Sequence, residues 1–190
     1  MIVQKIKEAF DPYFKESLEN WGRFASLGEV IHCPKGEVLK RPYEIEKYFY
    51  LILSGSGSIH LYSKNNYKCV DLAYEFDFFG DYMSYMTQQP SPLETITIED
   101  SELLQIPYHN FQKMLAESKS GEKIARIMAD FAFFSKQQQQ IDLLTKTASE
   151  RLQQLKTQVP KLIERTPKKY IASYLGITPQ SLSRIIKATP

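Results

Sequence analysis

The chain has 190 residues, 43% hydrophobic and 13% aromatic, which supports one medium domain or two small ones and excludes a disordered chain. Its net charge of +2 conceals a polarised distribution: from Thr145 onward nine basic residues meet two acidic ones, net +7, while residues 1–144 carry 15 basic and 20 acidic residues, net −5. A basic module joined to an acidic one is the electrostatic footprint of a nucleic-acid reader attached to something else.

Lys5, Lys7 and Glu8 interrupt the first apolar residues, and no run approaches membrane-spanning length. The expectation is a cytoplasmic protein with no membrane partner. Residues 1–28 read as helical, with Asp11-Pro12 as a cap-and-start pair before Phe14, Leu18 and Trp21. From Glu29 the texture changes to short β-prone runs: Val30–His32, Val38–Lys40, Tyr48–Leu53, Ser58–Tyr62, Cys69–Ala73, Leu93–Ile98 and Glu102–Ile106. Turn signals separate them at 34–36, 54–57, 64–66 and 89–92, a spacing that suits a small antiparallel barrel or roll. Gly55-Ser56-Gly57 is too short to cradle a phosphate and reads as a strand turn.

Tyr108–Leu115 reads as a short helix and a longer one opens near Ser120, with Ile124, Ile127, Met128, Phe131 and Phe134 forming an apolar stripe that Ile141 and Leu144 continue. Such a stripe needs a cover. The roll of the same chain and the matching helix of a second chain both qualify, and a long helix before a DNA reader is well placed to join two subunits on a palindromic site. The expected α+β organisation is a sensor roll over 1–118, a dimerisation helix over 119–144 and a small helical domain over 145–190.

Thr166 to Lys187 reads as two helices and a tight turn. Thr166 is expected to cap a helix starting at Pro167, Gly176 to lie just past its end, and Thr178-Pro179 to cap and start a second helix. Leu182, Ile185 and Ile186 share the apolar face of that second helix, leaving Gln180, Arg184 and Lys187 opposite. This is a helix-turn-helix whose second helix would enter the major groove of double-stranded DNA. Gln180, Ser181 and Arg184 would face base edges, with Lys168, Lys169 and Lys187 on phosphates. A helix pair that docks on protein, or a small-molecule-binding module without DNA binding, is the alternative; DNA binding would weaken far more steeply with salt.

Cys33 and Cys69 lack metal-ligand spacing and read as buried, reduced thiols. His32, His60 and His109 stand apart with no nucleophile motif. Neither catalysis nor a cofactor is expected.

Taken together, Lys35-Gly36-Glu37, Tyr50–Gly55 and Phe78-Phe79-Gly80-Asp81 in the roll, with Ala148–Leu152, Ile171–Thr178 and Ser181–Ile185 in the tail, resemble the Crp/Fnr family of bacterial transcription regulators. The resemblance covers nearly the whole chain. It implies a cyclic-nucleotide-binding-like sensor, a dimerisation helix, a helix-turn-helix, and RNA polymerase as a further partner. The sequence ends at Pro190, so no β-hairpin wing of the kind many relatives carry is expected.

One departure concerns the ligand. Members that bind cyclic AMP use a Gly-Glu pair and a later Arg; here Asp81 replaces the Glu, and Ser91-Pro92-Leu93 falls where the Arg segment should be. Lys68 to Lys113 contains no other Lys or Arg but eight acidic residues, a poor setting for a buried anion. Cyclic AMP is not expected to activate this chain, although Arg41 or the amides after Gly80 could still approach a phosphate. The roll is then a scaffold or holds another effector near Tyr62, Phe79, Gly80, Asp81, Tyr82 and Ser91, with Phe78 and Tyr85 nearby favouring a neutral or hydrophobic one.

Overall fold

The computed structural model describes residues 2–13, 15–63, 66–117 and 119–188; Phe14, named above, lies outside them. Two short helices lead, α1 (Ile2–Phe10) and α2 (Leu18–Ala25). Asp11-Pro12 ends the first and does not start the second. Proline disfavours helical geometry in the residue before it, and the Asp11 carboxylate binds Lys7 Nζ at 2.7 Å. The N-cap of α2 is Ser17, whose Oγ accepts the Asn20 N–H at 3.1 Å.

The β region contains β1 (Glu29–Cys33), β2 (Val38–Lys40), β3 (Tyr48–Ser54), β4 (Gly57–Ser63), β5 (Asn66–Ala73), β6 (Phe78–Phe79), β7 (Leu93–Thr97) and β8 (Ser101–Pro107). A short helix, α3 (Tyr82–Thr87), lies between β6 and β7. The strands form two four-stranded antiparallel sheets, ordered β1-β8-β3-β6 and β2-β7-β4-β5. All seven expected runs are strands; β6 is two residues long, too short for alternation to announce it. Tyr50, Ile52, Ile59, Phe79 and Leu103 fill the space inside the roll. Gly57 is required there, because a Cβ would lie 2.2 Å from Cζ of Phe79.

The chain continues as α4 (Tyr108–Glu117), the 27-residue α5 (Lys119–Thr145), α6 (Ala148–Gln158), α7 (Leu162–Arg165), α8 (Lys168–Tyr174) and α9 (Pro179–Ala188). Thr147 and Glu150 close a reciprocal capping box at the start of α6. The beginning of α5 is built into the core that α1, α2 and the roll share, through Ile124 and Met128. The apolar residues of the tail do not form an isolated core: Leu152, Leu162, Ile171 and Leu182 cluster with Cys69, Leu72, Tyr74 and Ile98 of the roll. Strand β5, the edge of its sheet, is covered there. Its Cys69 N–H donates to Ser173 Oγ of α8 at 2.9 Å, and its Val70 carbonyl accepts from Gln139 of α5 at 3.2 Å.

Candidate functional site

The tail forms the helix pair the sequence anticipates, with one changed cap. Thr166 makes no cap for α8; its hydroxyl is buried against the Tyr74 hydroxyl at 2.7 Å, because a buried phenol needs a partner. The turn follows expectation. Gly176 has φ +70°, its N–H donates to Ser173 O at 3.1 Å, and the Ile177 N–H reaches Ala172 O at 2.9 Å, a Schellman closure. Thr178 Oγ1 then accepts the Ser181 N–H at 3.1 Å, ahead of Pro179. Arg151 of α6 donates to the Leu175 carbonyl at 2.8 Å and so braces the turn, a role no local pattern announced.

On α9 Leu182 is buried, Ile185 and Ile186 pack beside it, and Gln180, Arg184 and Lys187 are exposed. Ser181 is half-buried, its hydroxyl 3.0 Å from Thr178 Oγ1, so it contributes less free surface than its neighbours. Lys168 and Lys169 are also exposed, and Lys169 Nζ sits 4.8 Å from the Tyr170 ring centroid.

The stripe on α5 divides in two. Ile124 (2% exposed) and Met128 (4%) are buried in the chain's own core, which corrects their assignment to a dimer interface. Phe131 is partly committed as well, edge-on to Tyr13 at 4.7 Å. Ile127, Phe134 and Ile141, seven residues apart, share the other face; Phe134 is 61% and the neighbouring Leu144 80% exposed.

In the roll, the place where an anion would be expected holds an ion pair made by the chain itself. Lys40, Asp81 and Ser91 are each 2% exposed. Lys40 Nζ lies 3.1 Å from Asp81 Oδ2, 3.2 Å from Ser91 Oγ and 2.7 Å from the Leu93 carbonyl, and the Ser91 hydroxyl donates to Asp81. The cation comes from β2 and was missed because no motif links Lys40 to Asp81. Arg41, which the sequence left as able to approach a phosphate, is exposed. Asp81 also caps α3 through the Ser84 N–H at 3.1 Å, and Ser84 Oγ accepts the Glu46 N–H at 3.0 Å. Burial pushes the Glu46 carboxyl up to about 7, although the Asp81 and Tyr48 amides oppose this.

Beside this network a cavity of about 730 Å³ opens between the roll, α1 and α5, lined by Phe10, Ile59, Leu93, Met128 and Phe131 among others. Of the candidate effector-pocket residues, Gly80, Asp81 and Tyr82 line it. Tyr62, Phe79 and Ser91 do not. Phe79 fills the core of the roll, Ser91 is held in the ion pair, and Tyr62 bonds Glu94 at 3.2 Å beside Tyr67. Strand alternation explains Tyr62, since it follows Ser58 and His60 on β4 while Ile59 faces the cavity. Among the described residues the only basic one lining the cavity is Lys136, whose Nζ is 2.6 Å from Asp71.

The model of the cyclic nucleotide-binding domain family matches residues 30–118. That span runs from Val30 of β1 through α4, so it takes in the roll and the helix that follows it. No curated protein sequence matches the chain. Among solved structures, FixK2 from Bradyrhizobium japonicum aligns with a TM-score of 0.73 at 17% identity, over 85% of this chain and 83% of that one. CLP, a c-di-GMP responsive global regulator from Xanthomonas campestris, gives 0.67 at 16%, over 90% and 91%. A protein from Eubacterium rectale assigned to the crp/fnr family gives 0.66 at 13%, over 91% and 83%. At these identities the likeness shows a shared fold, a cyclic-nucleotide-binding-type roll followed by helices. Among the described residues no helix is long and apolar enough to cross a membrane.

Proposed function

We propose that this chain is a cytoplasmic, homodimeric, sequence-specific DNA-binding transcription regulator of the Crp/Fnr type that cyclic AMP does not activate. The observation that carries the reading is the bare polar face of α9 on a net-basic tail. Gln180 and Arg184 project from a helix held by a fully closed turn, and among the described residues neither side chain makes a hydrogen bond or ion pair, while Lys168, Lys169 and Lys187 flank them for phosphates. Exposed Phe134 and Ile141, with the half-buried Ile127, supply a seam for the matching helix of a second copy, which suits DNA with two half-sites. RNA polymerase is the further partner such a regulator would meet.

Two features argue against cyclic AMP. Lys40 is already neutralised by Asp81, and Lys136 by Asp71, so a cyclic phosphate would have to displace an existing partner. The mainly apolar cavity suits a neutral or hydrophobic effector better. Selection of bound sequences from a random duplex pool, followed by titration across salt, tests the reading. The expected result is an enriched palindrome with affinity falling steeply as salt rises; no enrichment would reject it. Calorimetric titration with cyclic AMP is expected to give no binding at micromolar concentration, and binding at that level would reject the ligand reading.

A further inference from the structure

The tail meets the roll at a socket apart from the polar face of α9, and of its residues Glu75 also lines the cavity. Three turns of the roll converge there: Gly55-Ser56 between β3 and β4, Glu75 after β5, and Glu99 after β7. The roll positions both carboxylates itself. The Gly55 N–H donates to Glu75 Oε1 at 3.1 Å and the Ser56 hydroxyl to Glu99 Oε2 at 2.5 Å.

Arg165, the last residue of α7, enters this socket with all three guanidinium nitrogens engaged. Nε reaches both Glu99 oxygens at 3.2 Å, Nη1 reaches Glu75 Oε2 at 3.0 Å, and Nη2 reaches Glu75 Oε1 at 2.6 Å, Glu99 Oε2 at 2.8 Å and the Gly55 carbonyl at 3.2 Å. A planar fork held on two carboxylates fixes direction as well as distance. The contacts then run along α8. After the Thr166–Tyr74 hydrogen bond, Tyr170 packs on His60 with ring centroids 4.7 Å apart, and Ser173 meets the edge of β5. The first helix of the pair is therefore tied to the roll at both ends, and α9 is held through α8 by Leu182, Ile171 and Leu175.

We propose that Arg165 is a positioning residue: it latches the helix pair to the roll and thereby sets the half-site spacing that the dimer accepts. The inference rests on the proposed function, since spacing has meaning only for a dimer that reads two half-sites. Those half-sites lie about one helical turn, roughly 34 Å, apart, so two readers held rigidly tolerate little change in separation. Readers whose charged latch is released would keep the apolar cluster they share with the roll but would sample more orientations about it, lowering the effective concentration of the second contact.

The decisive variant is Glu75→Gln with Glu99→Gln in the full chain, because it removes both charges from the socket without touching the tail or its DNA-facing residues. Affinity is measured on duplexes carrying the selected half-sites with the spacer at its optimum and changed by one, two and five base pairs, and on a single half-site. The expected result is about a tenfold loss at the optimal spacer, a flattened spacing profile and unchanged single-half-site affinity. Arg165→Lys, which keeps the charge but loses the fork, is expected to fall between the two and serves if the double variant does not fold. A wild-type protein with a sharp spacing preference that either folded variant retains overturns the latch alone. A loss that is equal on the single half-site overturns it too, since the reader itself would then be damaged. A wild-type protein that binds no duplex overturns the proposed function, and the role of the latch with it.

Discussion

The roll and the tail treat their charged residues in opposite ways. In the roll Lys40 and Asp81 are buried and matched to each other, whereas on α9 Arg184 and Lys187 are exposed and form no ion pair among the described residues. A buried charge left alone costs several kcal/mol, so it must be satisfied within the fold; an exposed one costs nothing and remains available to a partner. The contrast separates charges that maintain the structure from charges that can act on something else.

The strongest way to break this comparison is to remove the cation from the buried pair. Lys40→Ala leaves Asp81 and the Ser91 hydroxyl without their ammonium partner, and the expected loss is about 3–5 kcal/mol in urea unfolding. Arg184→Ala should leave the same unfolding curve within about 0.5 kcal/mol of wild type, as expected for an exposed side chain outside the core. Equal effects from the two substitutions would erase the distinction.

The second test acts on the tail. Arg184→Ala is expected to weaken binding to the selected site by about 1–3 kcal/mol and to relax the preference at one base position, while Lys168→Ala weakens all sequences alike. Competition titrations against point-changed duplexes read both effects. On α5, Phe134→Glu is expected to give monomers in sedimentation at micromolar concentration, because it places a carboxylate in the seam with Ile127 and Ile141. Met128→Ala should instead lower stability, since Met128 lies in the chain's own core.

What could be read in the sequence follows the range of the interactions. Gly176 and Thr178-Pro179 act within a few residues of themselves, so the turn and its second helix were legible, as were the seven alternating strands. Asp11-Pro12 was misread because the same dipeptide can end a helix as well as start one, and Ser17 is what begins α2. Asp81 with Lys40, and Arg165 with Glu75 and Glu99, are brought together by sheet order and by docking of the tail, and no spacing rule encodes those meetings. The α5 stripe was legible as apolar, but periodicity alone could not say which half the roll would cover.

The smallest expected effect is a pH dependence within the roll, where two buried groups pull in opposite directions. Glu46, 1% exposed, is raised from its ordinary value of 4.5 to about 7, so the folded chain holds a proton that the unfolded chain releases between those values. Its contribution to stability is complete below about pH 4.5 and declines as pH rises through 7. His60 has the opposite sign: burial pulls it below its ordinary value of 6.5, against the hydrogen bond and charge of Glu94, and Lys169 adds to the lowering. Its contribution is complete above pH 6.5 and is lost on acidification. Glu46→Gln keeps an acceptor for one of the Asp81 and Tyr48 amides and removes the titration. Relative to wild type, the variant should therefore gain about 2–3 kcal/mol between pH 5 and pH 8, as the rise from 4.5 to about 7 requires. Urea midpoints at pH 5, 6, 7 and 8 measure it. A difference between the two proteins that does not change with pH would mean that Glu46 titrates as an ordinary carboxylate and that its burial does not control its charge.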